Sequence, residues 1–385
     1  MIQKPRLFTP GPTPLHPAVL EAMARPIPHH RTDEFRKVFT DCLAGLKAFL
    51  KTTDDVLILA CSGTGGMEAA LVNVLSPGDK MLALVAGSFG ERWTAIGRAH
   101  GMAVQELRAA WGEAVSPDEV GRAIDADPEV RAVFMQLSES STGAAHDVEA
   151  MARIVRARPD TLLVVDAISG AGALPLDTQA WGVDVVVVGS QKALALPPGL
   201  AFVSVSPRAW TRIESARAGR FYFDLRRERK AQGGGESAFT PAISNVVALR
   251  AALASVEATG GVDALVANAA TLAAITRKAA EALDLPLVSP RAHGDALTAL
   301  YPPKGIESGA IVKGLRSEFG STVAGGQGEL KGKILRIAHL GYYDVTDILG
   351  LLATLEVVLH RLGHRFEPGR GVGAATGEYL RRVAR

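Results

Sequence analysis

Cysteine is nearly missing from this chain. Cys42 and Cys61 are the two among 385 residues, too few for a disulfide framework, and this usage reads as cytosolic. Cys42 falls on an apolar helical stripe with Val38, Phe39, Leu46 and Phe49, so packing is its expected role. Charge of one sign is missing too. The 42 basic and 40 acidic residues leave a net charge of +2, which gives no electrostatic footprint for nucleic acid or an anionic membrane. No apolar run approaches the roughly 20 residues of a membrane span, and the opening MIQKPRLFTP lacks the apolar stretch of a secretory signal. The 40 glycines and 21 prolines are scattered at turns and not pooled in a low-complexity tract. His29-His30, and His360 with His364 one helical turn on, have no further ligands at metal-site spacing, so no metal is expected.

What is present is a chain 48% hydrophobic and 21% charged, whose length suits a large domain with a smaller partner. The segment Phe8-Thr-Pro-Gly-Pro-Thr-Pro cannot form a regular helix or a central strand, because its prolines remove donors; it reads as an extended arm. Beyond it, apolar runs at 56–60, 81–85, 102–107, 132–137, 162–165 and 183–188 read as strands. Helices are expected at 16–23, 32–50, 67–75, 91–99, 116–126 and 148–157. The alternation predicts an α/β fold. Residues 217–239 are irregular, aromatic and charged, with three successive glycines, a composition that implies mobility or a second chain to lean on. Two alanine-rich helices, 242–258 and 262–283, are broken at Thr259-Gly260-Gly261. A smaller α+β unit follows, with strands at 297–301 and 334–337, helices at 308–319 and 345–362, and a loosely held basic tail. The expected division is an arm at 1–14, a large domain at 15–259 and a small C-terminal domain at 260–385.

The stretch from Thr161 to Ser204 organises the rest. Its two apolar runs read as strands buried on both faces, as in a parallel sheet flanked by helices. One ends in Asp166, the other in Ser190-Gln191-Lys192. Ligands of open α/β sheets sit at the carboxyl ends of strands. Taken singly, Asp166 could close a strand and Lys192 could sit in a solvated turn. Together they fit pyridoxal phosphate, which needs a lysine to hold its aldehyde as a Schiff base and an acid to pair with its ring nitrogen. Gln191, beside the lysine, is placed to bond the polar edge or phosphate of that cofactor.

A second signal is the turn Cys61-Ser-Gly-Thr-Gly-Gly between the strand at 56–60 and its helix, a potential phosphate cradle. A P-loop would carry Lys and Ser or Thr where Gly66 and Met67 stand. A dinucleotide fold would want an acid at the end of the next strand, which instead runs into Ala86-Gly-Ser. Pyridoxal phosphate needs neither, though a mere tight turn is also consistent with the glycines.

The run VDAISGAGALPLD…GVDVVVVGSQKALALPPGLAFVSVS resembles the class V aminotransferases of fold type I, in the branch of alanine–glyoxylate, serine–pyruvate and serine–glyoxylate aminotransferases. The likeness runs from TPGPTPLHP to LRIAHLG. It implies a mostly parallel seven-stranded sheet between helices, with 201–205 antiparallel, a smaller α+β C-terminal domain and the arm across the site entrance. It further implies phosphate contacts from Thr64, Gly65 and Gly66, a ring stacked on Phe89, and a hydroxyl from Ser141 or Thr142. Ile168 would pack on the opposite ring face. Thr240 would reach the neighbouring subunit's phosphate in a homodimer with shared sites, and Ser237 stands where relatives bring an aromatic hydroxyl. Arg336, in the apolar strand KILRIA, would grip the substrate α-carboxylate. From alternation alone it would face water.

The resulting expectation is ping-pong transamination between alanine or serine and glyoxylate or pyruvate, with Lys192 moving the Cα proton. Within the same fold, a cysteine desulfurase needs a late nucleophilic cysteine, and none follows Cys61. A phosphoserine or aminophosphonate transaminase would need extra cations, for which Arg31 or Arg220 are candidates. A non-catalytic cofactor-binding subunit of another enzyme is the reading from a different class, against which the intact Asp166, Lys192 and Arg336 stand.

Overall fold

The computed structural model describes residues 3–384. Seven strands form its main sheet: β1 (Asp55–Leu59), β2 (Lys80–Val85), β3 (Ala103–Arg108), β4 (Val130–Gln136), β5 (Leu162–Asp166), β6 (Val185–Gly189) and β7 (Ala201–Val205). Their order is β1-β7-β6-β5-β4-β2-β3. The pairs β3–β2, β2–β4, β4–β5 and β5–β6 are parallel. β7 runs antiparallel to both β6 and β1, which leaves β1 parallel to β6. The carboxyl ends of six strands therefore share one edge, the edge where such sheets bind ligands.

Side chains explain why these runs are apolar without alternation. In β5, Leu163 and Val165 join the core on one sheet face, while Leu162 and Val164 join the core on the other. A strand covered on both faces has no polar side to show. Cys42 is fully buried on the stripe expected for it.

Two helices begin directly above the shared edge: α1 (Gly63–Val74) after β1 and α2 (Ser88–Ala99) after β2. Both start earlier than the apolar periodicity predicts. In α1 the glycine turn is itself the first helical turn, because the Gly66 amide closes on the Ser62 carbonyl at 3.2 Å. Packing overrides the low helix propensity of glycine here. A Cβ on Gly63 would lie 2.6 Å from Ile168 Cδ1, and one on Gly66 would lie 2.8 Å from Val187 Cγ1.

Residues 217–239 are less irregular than their composition suggests. They contain the helix Leu225–Gln232, started by Asp224, whose side chain accepts from the Arg226 amide. Gln232 then bonds both backbone groups of Ile58, at 2.9 and 2.8 Å, and so covers the outer edge of β1.

α3 (Ile243–Ala258) and α4 (Gly261–Ala282) meet at a 75° bend. A separate apolar core follows, built from α4, residues 296–359 and Ala375, and joined by Phe8 and Ala173. On that ground we propose that the two domains divide at Thr259-Gly260. A three-stranded antiparallel sheet, β8 (Leu297–Leu300), β9 (Ala324–Gly325) and β10 (Leu335–Ala338), lies in this part, in the order β8-β10-β9. The basic tail is not loose. It forms α5 (Arg370–Val383), packed along α4. Its start is held by the buried Glu356, whose carboxylate accepts from the amides of Gly369, Gly371 and Val372. Among the described residues no single helix is long and apolar enough to cross a membrane.

The arm reaches across both parts. Arg6–Leu7 pairs in parallel with Ser321–Thr322, Phe8 enters the C-terminal core, and Thr13 donates to the Lys192 carbonyl.

Candidate active site

Asp166 is the last residue of β5 and pairs in register with Val187 of the neighbouring β6, five residues before Lys192. Both side chains are buried, Asp166 4% and Lys192 8% exposed. Burial pushes the Asp166 carboxyl up to about 7. The Ile168 amide, donating to Oδ1 at 2.8 Å, and the Lys192 charge pull the other way. Burial likewise lowers Lys192 to about 8, with Asp166 opposing. Each group feels the other's charge. An amine poised near neutrality serves both as nucleophile and as proton carrier. Its Nζ donates to the Pro10 carbonyl of the arm. Gly11 next door has φ +130°, and a Cβ there would stand 2.5 Å from Lys192 Nζ.

At the α1 end, Ser62 takes an extended conformation without a side-chain cap, and the first turn carries no acid. The amides of Gly63, Thr64 and Gly65 precede the first intrahelical partner and remain available to an anion. The Gly66 amide is spent on Ser62, and its missing side chain makes room for Val187 and Ala201. The expected trio is thus shifted by one: Thr64 and Gly65 offer donors, Gly66 does not, and Gly63 takes its place. Ile168 lies against Gly63, which puts it beside the same turn.

Phe89 is fixed at the start of α2 by Glu139. Oε2 of Glu139 accepts from the Phe89 and Gly90 amides at 3.0 Å each, and Oε1 accepts from Ser141 N and Oγ at 3.1 and 2.6 Å. Burial pushes the Glu139 carboxyl up, and these four donors work against that shift. Glu139 has a structural reason that Ser/Thr-rich turn composition hides.

The expectation for Ser141 and Thr142 does not survive this network. Ser141 Oγ donates to Glu139 and accepts from the Ser88 amide, while Thr142 Oγ1 donates to the Glu139 carbonyl and accepts from the Ala144 amide. Both are fully buried. Of the three consecutive hydroxyls 140–142, the one left without a hydrogen bond among the described residues is that of Ser140, whose carbonyl accepts from Arg336 Nη1 at 2.6 Å.

Arg336 does not face water. It is 5% exposed, with Nε donating to the Gly325 carbonyl at 2.9 Å. Burial lowers it to about 10, opposed by Glu139. Nη2 has no partner among the described residues, so one arm of the fork is left for a carboxylate. Gln191 contributes a buried Oε1 with no partner. Thr240 is exposed and lines a cleft with Phe39, Ala60, Tyr222 and Phe239; no hydrogen bond joins it to the Lys192 cluster. Ser237 Oγ donates to the Phe239 carbonyl.

An acid and a near-neutral amine on adjacent strand ends, free amides at a helix start, an orphaned amide oxygen and a half-free guanidinium fit one group. That group has a basic ring nitrogen, an aldehyde and a phosphate. The fold and the donor set together define a fold type I pyridoxal-phosphate enzyme.

Known proteins narrow the class. The family model for aminotransferase class-V matches residues 7–328. The chain is 35% identical over 386 residues to an L-aspartate–glyoxylate aminotransferase of Paracoccus denitrificans, covering 98% of this chain and 97% of that one. It is 39% identical over 379 residues to a protein named soluble hydrogenase, small subunit, of Synechococcus sp. (strain PCC 6716), covering 98% of each. A crystal structure of an aspartate aminotransferase of subgroup IV from Thermus thermophilus superimposes with a TM-score of 0.86 at 37% identity, over 93% of this chain and 99% of that one. The chain belongs to the class V aminotransferase family. It is a pyridoxal-phosphate-dependent transaminase, acting on an amino acid and a 2-oxo acid.

Proposed function

We propose that the chain transfers an amino group between a small amino acid, alanine or serine, and glyoxylate or pyruvate. The observation that carries it is Arg336, a buried guanidinium whose Nη2 has no partner among the described residues and so offers one grip for a carboxylate, which suits a donor with a single carboxylate. A glyoxylate acceptor agrees with the name of the Paracoccus relative.

When bound, the cofactor supplies an aldehyde for the amine and a ring that takes up the electrons released at Cα. Asp166 would face the ring nitrogen and keep it protonated. Lys192 would hold the cofactor and then, freed as a neutral amine, carry the proton between Cα and the cofactor carbon. Phe89 and Ile168 would bound the ring on its two faces, Gln191 its polar edge, and Gly63, Thr64 and Gly65 the phosphate. Ser140 and Arg336 would orient the substrate carboxylate. Thr240 would serve the site of a second copy: it is exposed, makes no hydrogen bond to its own Lys192, and lies on a segment whose Phe221 and Tyr222 are also exposed. Such a surface suits a homodimer with shared sites.

An aspartate donor is the second reading, favoured by the names of two similar proteins. A phosphoserine or aminophosphonate donor loses its candidates. Arg220 turns Nη1 and Nη2 to the carbonyls of Val72, Ile213, Ala216 and Ala218, and Arg31 is exposed near Glu236. A non-catalytic subunit role has the Synechococcus name in its favour, and the complete Asp166, Lys192 and Arg336 set against it. Screening alanine, serine and aspartate against glyoxylate and pyruvate decides among donors. Lys192→Ala should abolish turnover and leave the cofactor removable by dialysis; full activity in that variant would sink the transaminase assignment of Lys192.

A further inference from the structure

The site holds a second guanidinium that neither the chemistry above nor the sequence motifs use. Arg92 projects from the second turn of α2 and is half-buried. Its Nη1 donates to Thr64 Oγ1 on the facing α1 at 2.9 Å, and its Cζ stands 4.6 Å from the centroid of the Phe89 ring. No carboxylate lies within ion-pair distance of it among the described residues. Its charge nonetheless reaches the centre of the site, where it favours the ionised form of Asp166 and the neutral form of Lys192. A half-buried guanidinium normally finds an anion inside its own chain. Arg92 instead bonds a neutral hydroxyl at the start of α1, where the Gly63, Thr64 and Gly65 amides are left available to an anion.

The cradle has a corresponding deficit. A cofactor phosphate brings close to two negative charges, while the start of a helix offers about half a positive charge and three neutral donors. The P-loop solution, a lysine at the helix start, is absent because Gly66 and Met67 occupy those positions. A fixed cation from a neighbouring helix would make up the difference.

We propose that Arg92 is the countercharge for the cofactor phosphate, held in place through Thr64 and over Phe89. This rests on the placement of the phosphate at Gly63, Thr64 and Gly65. It also bears on specificity. With Arg92 committed to the cofactor, Arg336 is left as the grip for a substrate carboxylate among the described residues of this chain, and a dicarboxylic donor finds no second one among them.

The test compares cofactor with and without its phosphate. Wild type, Arg92→Ala and Arg92→Lys are stripped of cofactor, checked for equal melting temperatures, and titrated with pyridoxal phosphate and with pyridoxal by absorbance. Arg92→Ala should lower the ratio of the two affinities at least tenfold, and Arg92→Lys should recover most of it. Inorganic phosphate should compete with pyridoxal phosphate more weakly in Arg92→Ala than in wild type. Equal losses for both ligands would overturn the proposal, since Arg92 would then act only through the Phe89 ring. An unchanged ratio with a KM raised for aspartate but not for alanine would also overturn it and place Arg92 at a substrate's distal carboxylate. If wild type itself shows no preference for the phosphorylated ligand, the phosphate placement fails, and the role of Arg92 with it.

Discussion

Asp166 carries the sharpest pH signature at the level of single residues. In cofactor-free protein its carboxyl is held neutral up to about 7 by burial. A raised carboxyl adds stability that is complete below the unfolded value near 4 and lost as pH rises through 7. Asp166→Asn lacks this dependence. The melting temperature of the apo variant, relative to apo wild type, should therefore rise between pH 5 and pH 8, and parallel curves would show that Asp166 ionises freely. Gly11 gives a second test, because the space its side chain would need is filled by Lys192. Gly11→Ala should keep the fold and slow cofactor capture by at least an order of magnitude, measured as the rate of appearance of the visible absorption band. Unchanged kinetics would mean that the lysine does not use this corner.

Residues of this kind differ in how readable they are. Asp166 and Lys192 stood out because charges delivered together at the ends of apolar strands must have a reason to be there, whereas Arg336 was read from the likeness to the family, since alternation alone put it in water. Ser140 did not stand out, because three hydroxyls in a row are equivalent until one knows that Glu139 takes Ser141 and its own carbonyl takes Thr142. Arg92 gave no signal at all: a cation on an amphipathic helix reads as solvated surface.

Elements were legible where a pattern repeats and opaque where a partner decides. The strands of the main sheet followed from their apolar runs, and the antiparallel β7 from the likeness to its family. The first turn of α1 was missed because glycine argues against helix until Ile168, Val187 and Ala201 are seen to leave no room for a side chain. The last helix was missed because its apolar face is small, and its start depends on an acid thirteen residues away. That dependence is measurable. Glu356 is buried and satisfies three amides, so Glu356→Ala should cost about 1–3 kcal/mol. It should be read as a lower urea midpoint at unchanged slope. No shift would show that α5 is held by its packing on α4 alone.

On the scale of the whole molecule, the shared-site proposal requires that the isolated chain be incomplete. The exposed cluster of Phe221, Tyr222 and Thr240 marks where a second copy would dock. Sedimentation should give a dimer, and Thr240→Ala should weaken cofactor retention several-fold without dissociating it. An active monomer would end this part of the account.

The arm's path has a consequence for handling the protein. Because Arg6 and Leu7 hydrogen-bond alongside Ser321 and Thr322 while the carbonyl of Pro10 meets the reactive amine, one ribbon of a few residues ties the far lobe to the lysine. Trimming the first ten residues, or crowding them with a fused purification tag, would disturb two distant places at once. A preparation altered in that way could keep its bulk architecture yet mistakenly be scored as inert.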